Sequence, residues 1–138
     1  MSLDWVKARA ACSIAVVFKE LELGAREDVD SFHEAAPNDR TLAVVTSEKG
    51  NRFSVTRSGD TQLSVDFALT GGRITATDAR RPKWSVNATL TLNDAGECRL
   101  LVDGKELEQW QFRRKALESL FFGESGNRAG GPRSGSIA

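Results

Sequence analysis

The chain has one histidine and two cysteines in 138 residues. A single histidine excludes any multi-histidine zinc site within one subunit. It also forces a Ser-His-acid triad to use His33, and no serine stands in a nucleophile-elbow context. The cysteines, Cys12 and Cys98, form no C-x-x-C pair. There is no phosphate loop, because Gly71-Gly72 is followed by Arg73-Ile74 in a strand pattern rather than by a helix. Net charge is absent as well: 19 basic residues balance 19 acidic ones. A dedicated nucleic-acid binder draws its affinity from phosphate neutralisation, so nucleic acid is not an expected partner. No apolar run approaches the ~18 residues of a membrane-spanning helix, so no membrane association is expected. No cofactor or metal is expected either.

What remains is the composition of a globular domain, 40% apolar and 28% charged. Residues 1–123 read as a single α+β domain. Residues 124–138 read as a flexible tail rich in glycine, serine and arginine. Ala10-Ala11-Cys12 resembles the end of a lipoprotein box, but the apolar run follows the cysteine, and Lys19-Glu20 stand where a cleavage site would be. The expected location is the cytoplasm. In keeping with that, Cys12 and Cys98 are read as buried reduced thiols, with a disulfide between them as the alternative in an oxidising compartment.

Ser2 to Leu23 predicts one long helix, capped by Ser2 and stopped by Gly24. Leu3, Val6, Ala10, Ile14, Val17 and Leu21 fall on one face, widened by Phe18. Trp5, Cys12 and Val16 form a second, narrower stripe. A helix apolar on two sides is covered on two sides. The second cover is either the C-terminal helix or another subunit. Residues 25–40 read as irregular and acidic at first, with Val29 and Phe32, three apart, able to anchor a short helical turn before a turn at Pro37-Asn38-Asp39.

Six strands follow, from about residues 41–47, 52–57, 61–70, 73–79, 83–92 and 97–102. Leu63, Val65, Phe67 and Leu69 alternate against Gln62, Ser64 and Asp66. Trp84, Val86, Ala88, Leu90 and Leu92 do the same. Short turns between them make a curled antiparallel meander with one wet face. Residues 105–108 fit either a short strand or an early helix start. A C-terminal helix runs from about Gln109 to Phe122, with Trp110, Leu117, Leu120 and Phe121 as its apolar face and Arg113, Arg114 and Lys115 mainly toward solvent. The predicted fold is thus a two-layer sandwich with both helices on one face of the sheet.

This order of elements is similar in outline to the frataxin architecture, where two terminal helices pack on one face of an antiparallel sheet. At the level of layers it is also similar to small secretion-chaperone and cystatin-like domains. The first helix here lacks the dense acidic ridge that iron binding would imply, and the likeness carries no site residue.

The chemistry-bearing clusters are few. Asp28, Asp30, His33 and Glu34 form an acidic run without the glycine and distal glutamate of a calcium loop. Asp66 and Asp78 are the best pair of carboxylates for acid–base work. Arg80, Arg81, Lys83 and Trp84 make a basic-aromatic patch, and Trp110 beside Arg113, Arg114 and Lys115 makes a second; base stacking beside cations is the physics of single-strand binding, set against core tryptophans with solvated charges. The expected function is a non-catalytic interaction or accessory domain whose partner is another protein or a second copy, through the stripe of Trp5, Cys12 and Val16. The alternative is a carrier of a small apolar ligand, held between sheet and helix in a pocket lined by Phe53, Phe67 and Leu90.

Overall fold

A computed structural model describes residues 2–123; the tail expected over 124–138 lies outside them. Seven strands form one open antiparallel sheet in sequence order: β1 Leu42–Glu48, β2 Arg52–Ser58, β3 Leu63–Thr70, β4 Arg73–Asp78, β5 Arg81–Leu92, β6 Cys98–Val102 and β7 Lys105–Leu107. The last strand resolves the ambiguity after Asp103-Gly104. Both residues take positive φ, +51° and +79°, as a tight hairpin requires, and Val102 pairs with Lys105.

The register puts one side chain set on the inner face. Val55 pairs with Val65, Phe53 with Phe67, Phe67 with Ala76 and Ile74 with Ala88, and all seven are buried. The helices lie on that face. A row of rings joins the layers: Phe18 to Phe53 at 5.2 Å, Phe53 stacked on Phe67 at 4.5 Å, and Phe67 edge-on to Phe112 at 6.2 Å. The outer face carries Ser54, Asp66, Thr75 and Asn87, tied in pairs by side-chain hydrogen bonds.

The predicted N-terminal helix is two helices. The first, α1, spans Trp5–Ala11 and the second, α2, spans Ile14–Ala35. Ser13 sits between them in extended conformation and caps α2, its hydroxyl accepting from the Val16 N–H at 3.4 Å. Asp4, not Ser2, caps α1. Gly24 does not stop the helix, and the span expected to be irregular is helical to Ala35. Its buried positions Val17, Phe18, Leu21, Ala25, Val29 and Phe32 continue the same face by steps of one, three and four. The acidic residues Glu27, Asp30 and Glu34 point outward.

Gly24 is in the helix for a tertiary reason. A Cβ there would lie 2.6 Å from Cζ of Arg113. The missing side chain lets Arg113 cross α2 and reach Asp28, Nε to Oδ2 at 2.7 Å. The third helix, α3, spans Gln109–Phe122 as predicted. Gln109 meets Glu20, Arg113 meets Asp28 and Phe121 stacks on Phe32, so α2 and α3 run side by side in the same direction. The core face of α3 is Phe112, Ala116, Leu117, Leu120 and Phe121. Trp110, expected on that face, is 50% exposed, and Arg113, expected toward solvent, is held between the helices.

The β1 edge of the sheet is guarded. Arg26 of α2 donates to the Val45 carbonyl at 3.4 Å, and His33 Nε2 lies 3.2 Å from the Ala43 carbonyl. Both contacts occupy acceptors of the edge strand β1. On the other side β7 is three residues long and β6 pairs only with Thr89–Leu92 of β5, so among the described residues positions 81–88 of β5 have no strand partner on that side. The β1 contacts discourage edge-to-edge pairing on their side.

Candidate interaction surface

Where α2 and α3 lie side by side, they leave a groove of about 380 Å³. Its floor is Phe32, Ala35, Leu117 and Phe121, and Trp110 and Phe122 also line it. Trp110 is 50% and Phe122 72% exposed. Neighbouring phenylalanines at 121 and 122 are 100° apart on a helix, so a face that buries the first leaves the second out. The walls carry two acids and two bases, Asp28, Glu118, Arg113 and Arg114. Those charges are already paired, Arg113 with Asp28 and Arg114 with Glu118.

The far end of this helical layer is fixed by Arg57 of β2. Its guanidinium donates to the carbonyls of Leu120 and Phe121 at 3.0 and 3.1 Å and to Asp39 Oδ2 at 2.9 Å. It also lies 5.3 Å from the centre of the Phe32 ring. These carbonyls belong to the last turn of α3, which has no further helical N–H to receive. Hydrogen bonds from the Thr41 hydroxyl and backbone N–H, joined by Arg57, hold the Asp39 carboxyl below its ordinary value.

A second groove, about 490 Å³, lies beyond Trp110 and Arg113, between α2, the β6–β7 hairpin and Leu90. Cys98 lines it. The cysteines expected as reduced thiols are joined: Cys12 and Cys98 form a disulfide, with Cα atoms 5.4 Å apart across 86 positions of sequence. The chain fold brings the α1–α2 junction onto the start of β6, a juxtaposition no local pattern encodes.

The expected stripe of Trp5, Cys12 and Val16 is divided by the break between helices. Trp5 is on α1 and 65% exposed, Val16 is on α2 and 51% exposed, and Cys12 between them is buried in the disulfide. The C-terminal helix does not cover Trp5. Of the residues proposed to line a ligand pocket, Phe53 and Phe67 are fully buried and stacked on each other. Leu90 stands apart from them, facing the grooves beside the disulfide.

The basic-aromatic patch becomes a clasp. Asp78 is buried at the end of β4, and Arg80 closes on it through its backbone N–H at 2.9 Å and its guanidinium at 2.8 Å. Arg81 adds a bond at 3.0 Å and lies 4.3 Å over the ring of Trp84. Burial alone pushes the Asp78 carboxyl up, but the Arg80 and Arg81 hydrogen bonds outweigh it and hold it below its ordinary value. Lys83 is exposed beside Trp84. Trp84 is half-buried against the core, so two of the three cations in this patch are engaged with the fold.

Asp66 and Asp78 do not meet. Val65, not Asp66, pairs with Asp78, which places the carboxylates on opposite sheet faces. In the acidic run, Asp28 is committed to Arg113 and His33 to the β1 edge. Among the described residues no group of three acidic, histidine or cysteine side chains is placed to hold a metal ion, and no helix is long and apolar enough to cross a membrane.

The groove is not written in the sequence, because its two determinants are tertiary. Phe122 and Arg113 were visible as residues, but the phase of α3 against α2 was not. Comparison with known proteins adds no outside constraint: no protein-family description, no curated protein and no solved structure matches the chain.

Proposed function

We propose that this chain is a non-catalytic interaction domain that associates with a second copy of itself through the α2–α3 groove. The observation that carries this reading is the groove itself. Its floor is apolar, and two large side chains, Trp110 and Phe122, stand out beside it. Aromatic side chains of this kind anchor interfaces. Its charges support a self-partner. A two-fold interface meets itself, so it needs acids and bases in balance. Asp28 and Glu118 against Arg113 and Arg114 supply that balance as two pairs within the chain, so the groove carries no net charge to repel a second copy. Side-chain contacts to the β1 carbonyls disfavour strand pairing at that edge.

The test is sedimentation of the full chain beside Trp110→Ala and Phe122→Ser variants. The wild type is expected to show a concentration-dependent mass rising toward the dimer. Each variant is expected to weaken the association at least about tenfold, the loss of one interface hot spot. A wild type that stays monomeric at several hundred micromolar, or a dimer that both variants leave intact, overturns the reading.

The carrier alternative draws no support from the packing, since Phe53 and Phe67 fill the seam against each other. The disulfide favours an oxidising compartment over the cytoplasm as the place where the folded chain works.

A further inference from the structure

Helix α1 has an unusual relation to the body. None of its residues is buried. Trp5 and Val6 are 65% and 58% exposed. Between α1 and β5 lies an open space of about 400 Å³, lined by Trp5, Arg9, Cys12, Leu90, Thr91 and Leu92. The helix therefore stands off the sheet instead of packing on it. Among the described residues, two features are placed to hold it near the body beyond its chain link to α2. One is Leu3, whose side chain sits where a Cβ on Gly96 would go. The other is the disulfide immediately after its last turn.

The second helix does not depend on the first. Ser13 caps α2 on its own, and the buried face of α2 belongs to the core. In contrast, a helix of seven residues is too short to persist in water without tertiary support.

The geometry points to a redox latch: the Cys12–Cys98 disulfide holds α1 in place, and its reduction by a dithiol releases and melts α1 while the sandwich stays folded. The step balances simply. The dithiol gives two electrons and two protons and becomes a disulfide. The Cys12–Cys98 bond breaks, and each sulfur takes one electron and one proton to become a thiol. Release joins two surfaces. The space under α1 and the groove beside Cys98 both include Leu90, so departure of the helix opens one continuous face from Leu92 past Leu90 to Leu107.

The latch is tested by hydrogen exchange on the full chain, oxidised and after dithiothreitol, with a thiol titration to establish that both cysteines are free. A Cys12→Ser, Cys98→Ser double variant repeats the reduced state without thiol chemistry. Amides of residues 8–12 are expected to exchange at least about tenfold faster in both reduced forms, as local opening of a weakly held segment does. Amides of β2, β3 and β4 are expected to remain the slowest in the chain. Unchanged exchange in residues 8–12, with both thiols titrated, overturns the latch. So does collapse of protection across the sheet, which would make the disulfide a staple of the whole fold.

Discussion

The two N-terminal helices are separated by only two residues, and the body treats them in opposite ways. Helix α2 buries seven residues, among them Phe18, Leu21 and Phe32, and its polar side chains guard β1 and meet α3. Helix α1 buries none. Their sequences do not announce this. Leu3, Val6 and Ala10 continue the apolar face of α2 in perfect helical phase. The face fails because the chain turns at Cys12-Ser13, and a face is only buried where the backbone carries it over the sheet. Periodicity describes one helix at a time; the position of a break decides which part of the pattern is used.

The largest effect is expected under α2, in the core. Phe67→Ala removes a fully buried ring at the centre of the aromatic row. It is expected to cost about 3–5 kcal/mol of unfolding free energy, read as a fall in the denaturation midpoint. Asp78→Asn strips the negative charge from a clasp between two arginines and is expected to cost about 2–3 kcal/mol at neutral pH. This loss depends on pH. The folded carboxyl titrates below its ordinary 3.8, so the clasp contributes fully above that value. Its contribution is lost as pH falls through the lower folded value. The gap between wild type and variant in a denaturation series should therefore close in acid, below about pH 3.8. A gap that is constant down to pH 2 would remove the clasp from the account.

Arg57→Ala leaves the last carbonyls of α3 without their donor. About 1.5–3 kcal/mol is expected, as for hydrogen bonds to a charged group, together with faster exchange in the final turn of α3. At the weak end, Trp5→Ala on α1 is expected to change stability by less than about 0.5 kcal/mol, the usual size for an exposed site. A Trp5 effect comparable to that of Arg57 would erase the distinction between the two helices.

Much of the architecture was legible in the chain. Val65, Phe67 and Leu69 alternate against Ser64 and Asp66, and the sheet uses that alternation as written. The bounds of α3 followed from Leu117, Leu120 and Phe121 before Gly123. Other features were not readable, for physical reasons. Gly24 carries the signature of a helix stop, but its role is to make room for Arg113, 89 positions away. The pairing of Cys12 with Cys98 depends on a chain path that neither sulfur's neighbours specify. Val29 and Phe32 did continue the spacing of Leu21 and Ala25, but the surrounding acids hid a helix face behind a solvated one. The groove depends on the phase between α2 and α3, which leaves Trp110 outside and takes Phe112 in.

The three tryptophans report on three places: Trp5 on α1, Trp84 in the arginine clasp and Trp110 on the α2–α3 groove. Fluorine NMR of the full chain labelled with 5-fluorotryptophan, assigned by single Trp→Phe variants and followed through a dilution series, compares them in one measurement. A self-associating groove predicts that the Trp110 resonance moves with concentration while those of Trp5 and Trp84 stay fixed. A stationary Trp110 resonance, or one that holds while Trp5 moves, would contradict it.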